Sequence, residues 1–170
     1  AVHARLAYVP GDVVLWPNLT GGEIIDLLSS LRGTPPSADA RAHRERLVRD
    51  FDLDLTKKGR AYSKGNRQKV ALIAALASDA ELFLLDEPLT NLDAQLRLET
   101  RAALERLQGE LGITTIYVTH DQEEALSLAD TIMMMNDGRV QQVATSRELY
   151  SHPVNRFVAG FVGTPPMNFV

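Results

Sequence analysis

The sequence predicts an α/β fold, a parallel sheet accompanied by a smaller helical subdomain. Three observations predict it. Leu82-Phe83-Leu84-Leu85 is a short apolar run that ends abruptly in Asp86-Glu87-Pro88, the pattern of a strand buried on both faces. From Ser63 onward, strand-like and helix-like stretches alternate, the arrangement that builds parallel sheets. Before Ser63, from Thr20, the patterns are helical only. Ligands of open α/β sheets gather at the carboxyl ends of the strands, which is where Asp86 and Glu87 stand. Two adjacent acids there can divide labour, one anchoring a hard cation through oxygen and the other taking a proton from water.

The elements follow in order. Arg5-Leu6-Ala7-Tyr8-Val9 reads as a short strand stopped by Pro10-Gly11, and residues 11–18 read as a loop with an apolar interior that includes Trp16. Thr20-Gly21-Gly22-Glu23 is a capping box, in which hydroxyl and carboxylate satisfy each other's helix-end amides. Ile24, Ile25, Leu27, Leu28 and Leu31 give its helix one apolar side, and Gly33 to Pro36 break it. Residues 38–50 mix arginines with acids, the sign of a solvated helix, with Leu47, Val48 and Phe51 turned inward. A basic loop, Lys57-Lys58-Gly59-Arg60, leads to a helical run from Arg67 to Ala77, with Ser63 as a candidate N-cap. After the acidic strand, Asp93 can cap a helix reaching about Gln108, with Leu96, Ala103, Leu104 and Leu107 along one face. Ile113 to Val118 reads as a second central strand, ending at Thr119-His120-Asp121. A helix through Ala125 and Leu128 follows. Thr131 to Met135 and Arg139 to Val143 form a hairpin about Asn136-Asp137-Gly138, with Met133-Met134-Met135 as core filling. Short helices around Glu148 and Phe157 close the chain. The implied segments are 1–19, a strand and loop; 20–62, the helical subdomain; 63–143, the α/β core; and 144–170, a helical tail.

Composition narrows the function. The chain has 170 residues and a net charge of −4, which argues against a grip on nucleic-acid phosphates. With no cysteine, disulfides and thiolate metal sites are excluded. Ala1 to Leu6 lack the apolar core of a signal peptide, and the chain opens without methionine, so it is expected to be part of a longer polypeptide. No long uncharged apolar run is present.

With these motifs in order, the sequence resembles the nucleotide-binding subunits of ABC transporters, a P-loop NTPase-like fold. Tyr62-Ser63-Lys64-Gly65-Asn66 matches the family's signature, usually Leu-Ser-Gly-Gly-Gln. Leu82 to Glu87 matches its Walker B strand, Asn91-Leu92-Asp93 its D-loop, and His120 its switch histidine. The resemblance implies ATP and Mg²⁺ as cofactors and assigns roles. Ser63, Lys64, Gly65 and Asn66 would contact nucleotide held by a second subunit. Asp86 would hold Mg²⁺ through water, Glu87 would activate the attacking water, and His120 would meet the terminal phosphate. Asp93 would serve the D-loop, with helix capping as its rival role. The implied partners are transmembrane permease subunits, docking on the block from Thr20 to Phe51, and a second ATP-binding subunit in a homo- or heterodimer. The implied location is the inner face of the cell membrane.

The resemblance has two textures. Residues 8–12 and 62–69 look like drug-exporter ATPases of the ABC-2 type, whereas Pro88 onward looks like sugar-importer ATPases. A chimaera joined at Leu85 to Pro88 is one reading, and sugar import or drug export stays open. The family's phosphate loop, Gly-x-x-x-x-Gly-Lys-Ser/Thr, with its strand and helix, has no counterpart: none of Lys57, Lys58, Lys64 and Lys69 precedes serine or threonine. At the family's Q-loop glutamine stands Gly11, followed by Asp12. The isolated chain is therefore expected to be inactive. The alternative is a non-catalytic partner subunit that supplies the signature in trans.

Overall fold

The structure, a computed structural model, describes residues 5–31 and 38–162. The expected break at Gly33 to Pro36, the first four residues and the end of the tail lie outside them. Strands are β1 (Leu6–Val9), β2 (Leu82–Asp86), β3 (Thr114–Val118), β4 (Ile132–Asn136) and β5 (Arg139–Ala144). Helices are α1 (Gly21–Ser30), α2 (Ala38–Asp50), α3 (Lys64–Leu76), α4 (Ala94–Leu111), α5 (Gln122–Leu128), α6 (Ser146–Ser151) and α7 (Arg156–Phe161), with a 3-10 turn at Gly59–Ala61.

Two compact units meet in sequence at Val118 and Thr119. This division falls inside the 63–143 stretch read from sequence as one core, and it leaves the helical segment 20–62 in the same unit as β1–β3. In the first unit β1, β2 and β3 form a parallel sheet in that order, with Val9 opposite Leu85 and Leu85 opposite Tyr117. Phe83 and Leu85 are fully buried and Leu82 and Leu84 half so, which agrees with an apolar run in a parallel strand. α3 packs against α1, α2 and β1, and Val70, Leu72 and Ile73 fill the interior. Lys69 of the same helix is buried and donates its ammonium to the Phe51 carbonyl just beyond α2. Burial lowers its pKa, and Asp52, Glu99 and Asp93 oppose that fall. A charge so placed fixes the end of α2 on α3.

Three expectations are corrected. β3 is an edge strand among the described residues, with Ile116 51% and Val118 45% exposed, because only β2 pairs with it. Trp16 and Val14 stand out of their loop while Val13 and Leu15 turn in, so the loop alternates like a strand. In the methionine run only Met134 is buried, and Met133 and Met135 are more than half exposed, since successive strand residues face opposite sides.

The second unit is built on the antiparallel pair β4–β5. Asp137 and Gly138 at its turn both take positive φ, as the hairpin signal requires. Ile132, Met134, Leu149, Val158 and Val162 form its core.

Candidate functional site

The carboxyl end of β2 is a constrained turn. Glu87 has φ +46°, a left-handed conformation rare for a residue with a long side chain and costing of order 1–3 kcal/mol. Its N–H donates to the Val118 carbonyl at 2.8 Å, extending the β2–β3 pairing by one bond. The Thr90 hydroxyl donates to Glu87 Oε2 at 3.1 Å, and the Thr90 N–H donates to the Glu87 carbonyl at 3.3 Å. Asp86 accepts from the Tyr8 hydroxyl at 3.3 Å. Desolvation first, and then the Asp86 charge, raise the Tyr8 pKa.

Neither Tyr8 nor Thr90 was singled out from sequence. Both left a signal: Tyr8 lies opposite Leu84, two residues from Asp86 on one face, and Thr90 follows Glu87 by three, a spacing at which hydroxyls bond locally.

Asn91-Leu92-Asp93 follows this turn and opens α4. Asp93 does cap that helix, its Oδ1 accepting from the Leu96 N–H at 2.9 Å, while its side chain stays at the exposed surface. Asn91 Nδ2 donates to the Gly11 carbonyl at 2.6 Å.

The start of α3 is brought against the same segment. Ser63 is extended and exposed, and its hydroxyl accepts from the Asn66 N–H at 3.2 Å. Lys64 is exposed and Asn66 half-buried. Gly65 is buried, and a Cβ there would stand 3.1 Å from Leu92 Cδ2 and 3.6 Å from the Asn91 carbonyl oxygen. The missing side chain at Gly65 is thus explained inwardly, by close packing of α3 on residues 91–96. No acid occupies the first turn of α3, so the helix dipole there is not neutralised by the helix itself.

His120 belongs to the second unit. It is exposed, two residues past β3, in a turn whose neighbours are fixed. The Thr119 hydroxyl donates to buried Glu124 at 2.9 Å and accepts from the Asp121 N–H at 3.0 Å, and Asp121 caps α5. Glu124 gave no sign in the sequence beyond its place on a helix.

Among the described residues no three acidic or histidine side chains converge as a metal cage. A strand-end carboxylate such as Asp86 fits Mg²⁺, which needs few protein ligands when phosphate and water supply the rest. The neutral Ser63 cap and the acid-free first turn of α3 fit a phosphate.

A family model described as "ABC transporter" matches residues 1–90. The "Uncharacterized ABC transporter ATP-binding protein y4oS" of Sinorhizobium fredii is 45% identical over 171 residues, covering 100% of this chain and 46% of that protein. The "Trehalose/maltose import ATP-binding protein MalK" of Thermococcus litoralis is 45% identical over 166 residues, covering 97% of this chain and 45% of that protein. The chain thus spans about half the length of the curated relatives it matches, and the match to the import protein covers both of its halves. Among solved structures, the "Dimeric structure of a post-hydrolysis state of the ATP-binding cassette MJ0796 bound to ADP and Pi" is similar at a TM-score of 0.71 and 27% identity, over 83% of this chain and 62% of that one.

Proposed function

The chain belongs to the ABC transporter family, and from that premise we propose that it is part of an ATP-binding subunit that energises import of a sugar across a membrane. The observation that carries the reading is Glu87. A strained backbone at the end of a ligand-facing strand, held by Val118 and Thr90, is the kind of cost that persists at a working site. In this reading Glu87 accepts the proton of the attacking water, a role worth roughly 10²–10⁴ in rate. Asp86 would hold Mg²⁺, which when bound would neutralise phosphate charge. Ser63, Lys64, Gly65 and Asn66 present the amide end of α3 to nucleotide on a partner subunit. His120 serves the terminal phosphate and Asp93 the subunit contact. The relative named for trehalose/maltose import supports sugar import over drug export.

Membrane attachment in this reading comes from permease subunits, because no helix among the described residues is long and apolar enough to cross a bilayer. The helical block from Thr20 to Phe51 is the proposed docking region, and the cytoplasmic face of the membrane the proposed location. A net charge of −4 favours no nucleic-acid partner.

The 170 residues contain no phosphate-loop motif, which supports a second reading: that this chain supplies the signature half of a composite site and does not turn over ATP alone. Charge-assisted hydrogen bonds from such a loop are worth about 1.5–3 kcal/mol each. A few of them account for most of the ~8 kcal/mol behind micromolar binding. Single-turnover assay of the purified chain should show no phosphate release above buffer. Release that vanishes in Glu87→Gln would overturn the inactivity and confirm the base. With a partner that carries an intact loop, Ser63→Cys should cross-link to that loop only when ATP is present. Nucleotide-independent cross-linking would defeat the trans role.

A further inference from the structure

β1 and β2 run parallel and end side by side, Val9 opposite Leu85, so the residues after β1 pass next to Asp86 and Glu87. Those residues are Pro10, which has no N–H, and Gly11, which has no side chain. Their carbonyls are taken by two side-chain amides from distant parts of the chain. Gln68 Nε2, from the interior of α3, donates to Pro10 O at 3.0 Å, and Asn91 Nδ2 donates to Gly11 O at 2.6 Å. Gly11 lies directly on the acidic turn: a Cβ there would be 3.2 Å from the Asp86 carbonyl oxygen and 3.5 Å from Glu87 Cβ.

This closes a ring. Asn91 is four residues past Glu87, its amide reaches Gly11, and Gly11 presses on the Asp86–Glu87 backbone. The left-handed residue sits inside that ring. Gln68 braces it and is an expensive brace: it is 1% exposed, and its Oε1 finds no donor among the described residues. A glutamine half-satisfied in the interior contributes less to stability than an apolar residue of its size would, so its one bond calls for a reason beyond packing.

We propose that Gln68 and Asn91 are positioning residues whose amides clamp Pro10 and Gly11 against the Asp86–Glu87 peptide and thereby hold Glu87 in its left-handed conformation. The functional meaning rests on Glu87 being the base, but the clamp itself does not.

The test is amide hydrogen exchange by NMR on the 170-residue chain. The readout is the Glu87 N–H, which donates to Val118, referenced to the amides of Leu72 and Ile73 in the middle of α3. Gln68→Met and Asn91→Asp each remove the donor with little change of volume. Each should speed Glu87 exchange about tenfold relative to the α3 reference, as loss of one net hydrogen bond allows. Asn91→Gln, which keeps a donor, should stay nearer the parent than Asn91→Asp. Should either variant unfold, Gly11→Ala presses on the same contact while leaving both amides in place, and it should raise the same ratio. The proposal is overturned if the ratio stays within about twofold of the parent in the folded variants, since a lost hydrogen bond must show. It is equally overturned if Glu87 and α3 accelerate together, or if Asn91→Gln behaves like Asn91→Asp. Because no hydrolysis is measured, failure here is separable from failure of Glu87→Gln in the phosphate-release assay.

Discussion

α1 and α3 begin alike and differ in one respect. Each has an extended hydroxyl residue at its cap, Thr20 and Ser63, and each hydroxyl accepts from the amide three residues on at 3.2 Å. Each has a buried glycine in its first turn, Gly21 and Gly65. In α1 the residue at that third position is Glu23, whose Oε2 accepts from the Thr20 N–H at 2.7 Å and its hydroxyl at 2.9 Å. In α3 it is Asn66, and the first turn carries no acid. α1 therefore supplies its own anion, and α3 is left to attract one. The difference teaches that cap chemistry, more than cap geometry, separates a structural helix start from a candidate binding one.

The sharpest way to break the comparison is through the glycines. A Cβ on Gly21 would lie 2.2 Å from the hydroxyl oxygen of Tyr62, which is buried and bonded to the Asp54 carbonyl at 2.6 Å. Gly21→Ala should lower stability to urea by about 1–3 kcal/mol, as overpacking does. Gly65→Ala meets first the flexible ends of Leu92 at 3.1 Å and Leu96 at 3.4 Å, with the Asn91 carbonyl oxygen at 3.6 Å, and should cost clearly less. A larger loss at Gly65 would show that its packing, not its place in the motif, dominates.

Next come the caps. Thr20→Ala dismantles a two-way box and Ser63→Ala a one-way cap, so within the usual range of about 0.5–2 kcal/mol the first should fall higher. Denaturant midpoints of the two variants decide it.

The smallest effect is on pH. Hydrogen bonds from the Thr20 amide and hydroxyl hold the Glu23 pKa below the ordinary carboxylate value. A carboxyl lowered on folding contributes stability above its unfolded pKa and loses it as pH falls through the folded one. The penalty of Thr20→Ala should therefore shrink between neutral pH and about pH 3, whereas that of Ser63→Ala should not change. Equal shrinkage at both sites would mean that an acid elsewhere serves α3.

Much of this was legible in the sequence. The box at Thr20, the caps at Ser63 and Asp93, the apolar strand before Asp86 and the hairpin turn all depend on neighbours within a few residues, and all are present. What was hidden depends on neighbours far along the chain. β3 is β-branched, like a central strand, but its exposure is set by how many strands pair with it. Gly65 reads as a close approach for a phosphate, and its packing against Leu92 is a second reason for the missing side chain that the local sequence does not show. The bonds of Gln68 to Pro10 and of Asn91 to Gly11 span 58 and 80 residues, and no local pattern announces them.

Trp16 is the sole indole of the chain, 45% exposed on the wall of an open groove of about 230 Å³ beside Val13, Leu28 and Ala74. Its emission colour is therefore a gauge of one place. A guest that dries the groove will turn the fluorescence blue, and a loosening of residues 11–19 will turn it red, with no dye attached.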